Sequence, residues 1–285
     1  MKQNPTWRKP RLMHGRQALA ASLNRWSQVT GWPLQGVARR FLLLALLPLY
    51  VVRLGLGQGL TTLYRFLLGE DGFVIERSER DPGLTIREDS ADAWEFQQIF
   101  ILQDYRLLAD RHDVHVIIDA GASVGFSSIY LAERHPHAFI YALEADESSF
   151  LALQHNTRHY PNIKPIQAAL AHEDDVWEKD SSVPTLTVQS LMQQYRLPCL
   201  DILKMKISST EARIFASQTC HDWLGSVRVL ALTFDTSLDA ATEHSILDVL
   251  QTYELTARSS GASLVLELSP AAQSAALQAP ERRFS

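Results

Sequence analysis

Residues 114–125 constrain the fold of this chain more than any other stretch. An apolar run from Val114 to Ile118 ends in Asp119, and a turn of small residues follows with Gly121, Ala122, Ser123 and Gly125. Phe126-Ser-Ser-Ile-Tyr-Leu-Ala then opens a helical pattern. A buried strand that passes through a glycine turn into a helix brings backbone N–H groups close to a ligand. The next apolar run, Phe139 to Leu143, ends in Glu144. That places an acid on the neighbouring strand tip, about 20 residues after the turn, where nucleotide-binding folds hold a ribose diol.

Residues Gly121 to Gly125 also spell Gly-x-Ser-x-Gly, the nucleophile elbow of serine hydrolases. A triad in that order needs an acid and then a histidine after Ser123. Asp235 and His244 can be nominated, but nothing singles them out. No His-Gly-Gly run precedes the turn, and Glu144 has no part in that chemistry. The turn reads Gly-x-x-x-Gly rather than Gly-x-Gly-x-x-Gly, which argues against a nicotinamide dehydrogenase.

From Val114 onward strands and helices alternate. Strands are expected at 114–119, 138–144, 163–169, 201–206 and 227–233. Helices are expected from the glycine turn to His135 and at 148–159, 188–195, 210–217 and 241–253. Residues 254–258 and 263–268, around Ser260-Gly261, form a closing hairpin. The pattern predicts an α/β chain with a mostly parallel, doubly wound sheet and an antiparallel hairpin at its edge. A lead-in, 70–113, holds two short strands around Asp81-Pro82-Gly83 and a helix over 91–109. The globular domain therefore covers 114–270, and the Ala-, Gln- and Arg-rich tail 271–285 is expected to be disordered.

The formal charge of −5 conceals two regions of opposite sign. No Asp or Glu occurs before Glu70, and residues 1–69 carry 10 Lys or Arg; the remainder has 17 basic and 32 acidic residues. Residues 41–52 are uninterrupted apolar, between Arg39-Arg40 and Arg53, with Trp7, Trp26 and Trp32 upstream. A spanning helix needs about 20 apolar residues, whereas this run is shorter and contains Pro48. It begins too late for a cleaved signal peptide. Besides a short span, two readings stay open: a helix buried against the main domain, or one lying in an anionic membrane interface, as a basic, Trp-bearing segment would. A nucleic-acid arm fits poorly, since leucines outnumber the charges. The expected location is cytoplasmic, and the interfacial reading adds peripheral attachment to the inner face of a membrane. Cys199 and Cys220 are expected to be reduced and buried, and no Cys/His spacing suits a metal.

From about Leu84 to Leu268 the chain resembles the FkbM-type methyltransferases, which use S-adenosylmethionine. The resemblance rests on four pieces in order: Thr85-Ile-Arg87, Asp92, Phe96, Phe100 and Tyr105; Asp119-Ala-Gly-Ala-Ser-Val-Gly125; Leu143-Glu144-Ala-Asp with Phe150, Leu153 and Asn156; and Ala168-Ala169-Leu170. It implies a Rossmann-like class I methyltransferase fold. Asp119, Gly121, Ser123 and Gly125 would shape the loop around the methionine end of the cofactor. Glu144 would accept both ribose hydroxyls, and Ala168 and Ala169 would lie near the adenine.

The family's next motif, Lys-Ile-Asp-x-Glu-Gly-x-Glu, reads Lys204-Met-Lys206-Ile-Ser208-Ser209-Thr-Glu211 here. Two acids are missing where a proton acceptor is expected, and Asn has become Ser123. Lys206, if burial depressed its pKa, and Glu211 or Asp235 are the substitute candidates. The implied activity is O-methylation of a hydroxyl on a sugar, glycolipid or secondary metabolite, a small or lipid-linked acceptor. The alternative is a methyltransferase-fold scaffold that has lost catalysis and is attached to a membrane.

Overall fold

The computed structural model describes residues 43–70, 72–76, 83–88, 90–174, 183–207, 209–217, 219–234, 240–250, 252–253, 255–261 and 263–268. The chain divides into two compact units, Met1–Asp71 and Gly72–Ser285. Within the first, Pro48 opens helix α1 (Leu47–Leu54), Gly55 breaks it at φ +81°, and α2 (Leu56–Leu68) follows. No described helix is long and apolar enough to cross a membrane.

The second unit opens with the antiparallel pair β1 (Phe73–Ile75) and β2 (Leu84–Ile86). Helix α3 (Asp92–Phe96) continues into a single wide turn over Gln97–Ile101, and α4 (Arg106–Ala109) is separate. The helix expected over 91–109 is thus broken. The Leu102 amide reaches back five residues to Gln97, and Gln103 then takes a left-handed φ of +57°, which no helix continues through.

Alternation follows: β3 (Val116–Ala120), α5 (Phe126–Arg134), β4 (Phe139–Glu144), α6 (Glu147–Thr157) and β5 (Ile163–Gln167). Next come β6 (Ala169–Leu170), β7 (Thr185–Leu186), α7 (Val188–Gln194), β8 (Leu200–Ile207), α8 (Ser209–Ala216) and α9 (Cys220–Leu224). Strand β9 (Val227–Phe234), α10 (Ala240–Leu250), β10 (Leu255–Ser260) and β11 (Ser263–Leu268) complete the unit. The strand expected over 163–169 divides after Gln167. The Ala168 amide still reaches the Glu144 carbonyl, whereas Ala169 has turned away to pair with Thr185. Helix α9 was not foreseen, and Cys199 is exposed, correcting the expected burial, while Cys220 is buried.

The main sheet runs β10-β11-β9-β8-β3-β4-β5. Strands β9, β8, β3, β4 and β5 are parallel, and β11 enters antiparallel beside β9. Pro165 sits in β5, an edge strand, where a missing N–H leaves no ladder bond unmade. One face buries Ile118, Leu143, Leu203 and Leu230 against Leu191, Phe215, Trp223 and Ile246. The opposite parity carries Ile117, Ile140 and Ile202 side by side in register. Aromatic rings join the lead-in to α5: Phe96, Phe100, Phe126 and Tyr130 meet at centroid distances from 5.1 to 6.1 Å. The expected tail, residues 271–285, lies outside the described residues.

Candidate functional site

The carboxyl ends of β3, β4 and β8 converge on the glycine turn. In an open parallel sheet the ligand crevice lies at this edge, where the order reverses around the first strand. Asp119, the penultimate residue of β3, is fully buried. The hydroxyls of Ser127 and Ser128 on α5 donate to its Oδ2 at 2.6 and 2.7 Å. Lys204 Nζ, from the adjacent β8, lies 2.8 Å from Oδ1 in an ion-pair contact without hydrogen-bond alignment, and donates to the Gly121 carbonyl at 2.8 Å. Burial alone would lower the Lys204 ammonium, but Asp119 and then Tyr105 hold it above the ordinary lysine value. This buried pair fixes the start of the turn.

The tip of β4 takes up the turn's amides. Gly121 and Ala122 both donate to the Leu143 carbonyl, at 3.0 and 2.8 Å. The Ser123 amide donates to Glu144 Oε2 at 2.8 Å, and the Asp146 amide to Oε1 at 2.9 Å. The sequence suggested amides offered to a ligand; these three are instead spent on the neighbouring strand. Each Glu144 oxygen keeps a further lone pair.

Ser123 itself has φ +52°, in the left-handed region that Asn tolerates better than Ser. Replacing Ser123 by Asn is therefore expected to raise the denaturant midpoint, by a stability gain of roughly 0.5 kcal/mol. A lower midpoint would show that the Ser123 side chain matters more than its backbone. Gly125, at φ +91°, abuts α6: a Cβ there would lie 2.8 Å from the Leu153 side chain and 3.0 Å from Thr157. Its lack of a side chain lets α5 pack closely on α6.

A group missed at the sequence level closes the site. Glu95, on α3, is partly buried beside Lys204, Lys206 and the Ser123 side chain. Burial pushes its carboxyl above the usual carboxylate value, and Lys204, Ser123 and Lys206 pull it back. Tyr105 lies against the same group, with the Lys204 ammonium 5.8 Å from its ring centroid and Thr233 near its phenol. Burial pushes that phenol up, while Lys204 opposes the shift. No spacing rule linked Glu95 to the turn; the only signal was its membership of the lead-in helix.

Lys206 is at the crevice, its Cβ 3.3 Å from where a Cβ on Gly121 would stand, but it is exposed. The burial on which a proton-accepting Lys206 depended is absent. Glu211 lies on α8 with its side chain outside the described residues, and Asp235 is outside them as well. Ala168 is buried and Ala169 half-buried beside the β4 tip. Nearby, Nδ1 of His172 is buried without a hydrogen-bond partner among the described residues. Among the described residues no histidine is bonded to Ser123, the arrangement that a hydrolase elbow uses. No group of metal ligands occurs among the described residues.

Behind the turn, the lead-in is clamped to it. Arg87 holds Asp92 through two guanidinium contacts of 2.9 Å and reaches Ser148 and Ser149 at the start of α6. Asn156, fully buried on α6, accepts from the Thr85 amide at 3.0 Å and donates to the Val124 carbonyl at 2.9 Å.

The strand order, with one antiparallel strand inserted before the edge, defines a Rossmann-like class I methyltransferase fold. No protein-family model matches the chain. Over 45 residues, 16% of its length, it is 40% identical to the tRNA1(Val) (adenine(37)-N6)-methyltransferase of Vibrio cholerae. The match spans only 19% of that relative's length. Among solved structures, the methyltransferase FkbM from Methylobacillus flagellatus KT gives a TM-score of 0.44 at 14% identity, covering 79% of this chain and 58% of that one. The N-terminal domain of human METTL16 in complex with SAH gives 0.40 at 14% identity, covering 62% and 70%. Precorrin-6y C5,15-methyltransferase from Geobacter metallireducens GS-15 gives 0.38 at 14% identity, covering 59% and 88%.

Proposed function

We propose that the chain is an S-adenosylmethionine-dependent methyltransferase acting on a hydroxyl. The observation that carries this reading is the state of the glycine turn. Its first three amides are bonded to the β4 tip, which leaves no nest for a phosphate, while Glu144 keeps an acceptor lone pair on each oxygen. A ligand with a ribose diol and no phosphate suits that donor set. Glu144 would hold the diol, and Ala168, Ala169 and Nδ1 of His172 would border the adenine. Gly121 and Ser123 would border the methionine end. When bound, S-adenosylmethionine supplies an electrophilic methyl on a positively charged sulfur. Titration with S-adenosylhomocysteine by calorimetry tests the reading. Micromolar binding is expected, and absence of binding to a folded sample would replace it with the noncatalytic scaffold.

Glu95 takes the place of the acids missing from the β8 tip. Its carboxylate, raised by burial and flanked by two lysines, is suited to accept the acceptor's hydroxyl proton. Lys206 then complements Glu95 rather than serving as the base itself. Replacing Glu95 by Gln is expected to lower kcat by about 100-fold or more while leaving S-adenosylhomocysteine affinity unchanged. In the parent, activity should fall as pH drops through the raised value of Glu95. A variant with full activity would remove Glu95 from the chemistry. A polyanionic acceptor is disfavoured by the acidic excess of residues 70–285, which favours a small or lipid-linked alcohol.

A further inference from the structure

Helix α2 has two apolar sides, and among the described residues only one of them is packed. Its inner side carries Gly59, Leu63 and Phe66. The Phe66 ring meets Tyr50 of α1 edge to face at 6.3 Å. A Cβ on Gly59 would stand 2.7 Å from the Tyr50 carbonyl oxygen, so the two helices touch at backbone distance. The outer side carries Leu56, Leu60, Tyr64 and Leu68, with relative exposures of 67%, 45%, 62% and 53%. Residues four apart lie one above another on a helix, so these form a continuous stripe. Val52 on α1, at 73%, is exposed as well. One exposed leucine needs no explanation, but a periodic apolar stripe marks an interaction surface.

The charge of the segment that carries the stripe selects the partner. Residues 1–69 contain 10 Lys or Arg and no acid. Two copies meeting through such segments would repel each other. A nucleic acid would seek basic side chains, whereas this face presents leucines and a tyrosine. Gly55 divides the segment into helices of 8 and 13 residues, and each alone falls short of the roughly 20 residues needed to span.

We infer that the stripe Leu56-Leu60-Tyr64-Leu68 docks α2 in the plane of an anionic lipid bilayer. The leucines enter the acyl boundary, Tyr64 sits at headgroup level, and the basic residues of the segment meet anionic lipid phosphates and carboxylates. This inference does not depend on methyl transfer.

The test is co-sedimentation of the full chain with vesicles of phosphatidylcholine alone and of phosphatidylcholine with phosphatidylserine. Binding to the anionic vesicles is expected, and it should weaken as salt rises. The double variant Leu60→Glu, Tyr64→Glu should lose about tenfold or more in partitioning. Both positions are exposed, so its melting temperature should match the parent's. Equal pelleting of variant and parent would overturn the inference, as would failure of the parent to bind anionic vesicles. So would a dimer that the double variant dissociates and anionic vesicles leave intact, because the stripe would then serve a second copy.

Discussion

Replacing Glu144 by Ala is expected to weaken S-adenosylhomocysteine binding by about 100-fold, since two hydrogen bonds to a charged group are lost at roughly 1.5 kcal/mol or more each. The same carboxylate also accepts from the Ser123 and Asp146 amides, so part of the loss would come through a loosened turn. The Glu144→Gln variant separates the two effects. It keeps one acceptor oxygen but has no charge, and cannot serve both diol and turn. If Gln binds as well as Glu while Ala does not, the carboxylate supports the turn rather than the ribose. If both variants bind normally, the diol assignment is wrong.

Replacing Lys204 by Met should be the most damaging single change to the fold. Asp119 would be left buried with two serine hydroxyls and no counter-charge, at a cost of about 3–5 kcal/mol in unfolding free energy. Chemical denaturation measures it directly. The sign with pH follows from the raised ammonium. A lysine held above its unfolded value contributes its full stability below the ordinary lysine range. That contribution disappears as pH climbs through the folded value. The parent should therefore weaken under strongly alkaline conditions in a way that Lys204→Met does not. A variant as stable as the parent would show that the pair merely orients the turn.

The sheet was readable because its strands are nearly continuous apolar runs that end in acids or glycines. Val114 to Asp119 and Phe139 to Glu144 announce both their direction and their tips. The lead-in was harder. Phe96, Ile99 and Phe100 fit a helical stripe, but nothing local foretold the wide turn over Gln97–Ile101 or the left-handed Gln103. The site divides the same way. Asp119, Glu144 and the glycines sit where strand ends put them, so spacing finds them. Glu95 comes from another element and meets Ser123 only through tertiary packing, which no spacing encodes. Lys204 was read as a surviving motif residue. Its partner could be recognised only once β3 and β8 were seen to be neighbours with Asp119 opposite Lys204.

The Asn156 clamp bears on which substitutions the chain can accumulate. Its side-chain amide engages two backbone groups, the Thr85 N–H and the Val124 carbonyl, and neither bond depends on the side chains at those positions. A change of side chain at position 124, or at 85 to anything but proline, therefore leaves both bonds of the clamp possible. Position 156 has no such latitude: Asp offers no donor, Gln is one methylene too long for a fully buried slot, and Leu of similar volume leaves both backbone groups unmet. The restriction that the clamp imposes falls on the residue that reaches, and it places no demand on the side chains of the residues it reaches for.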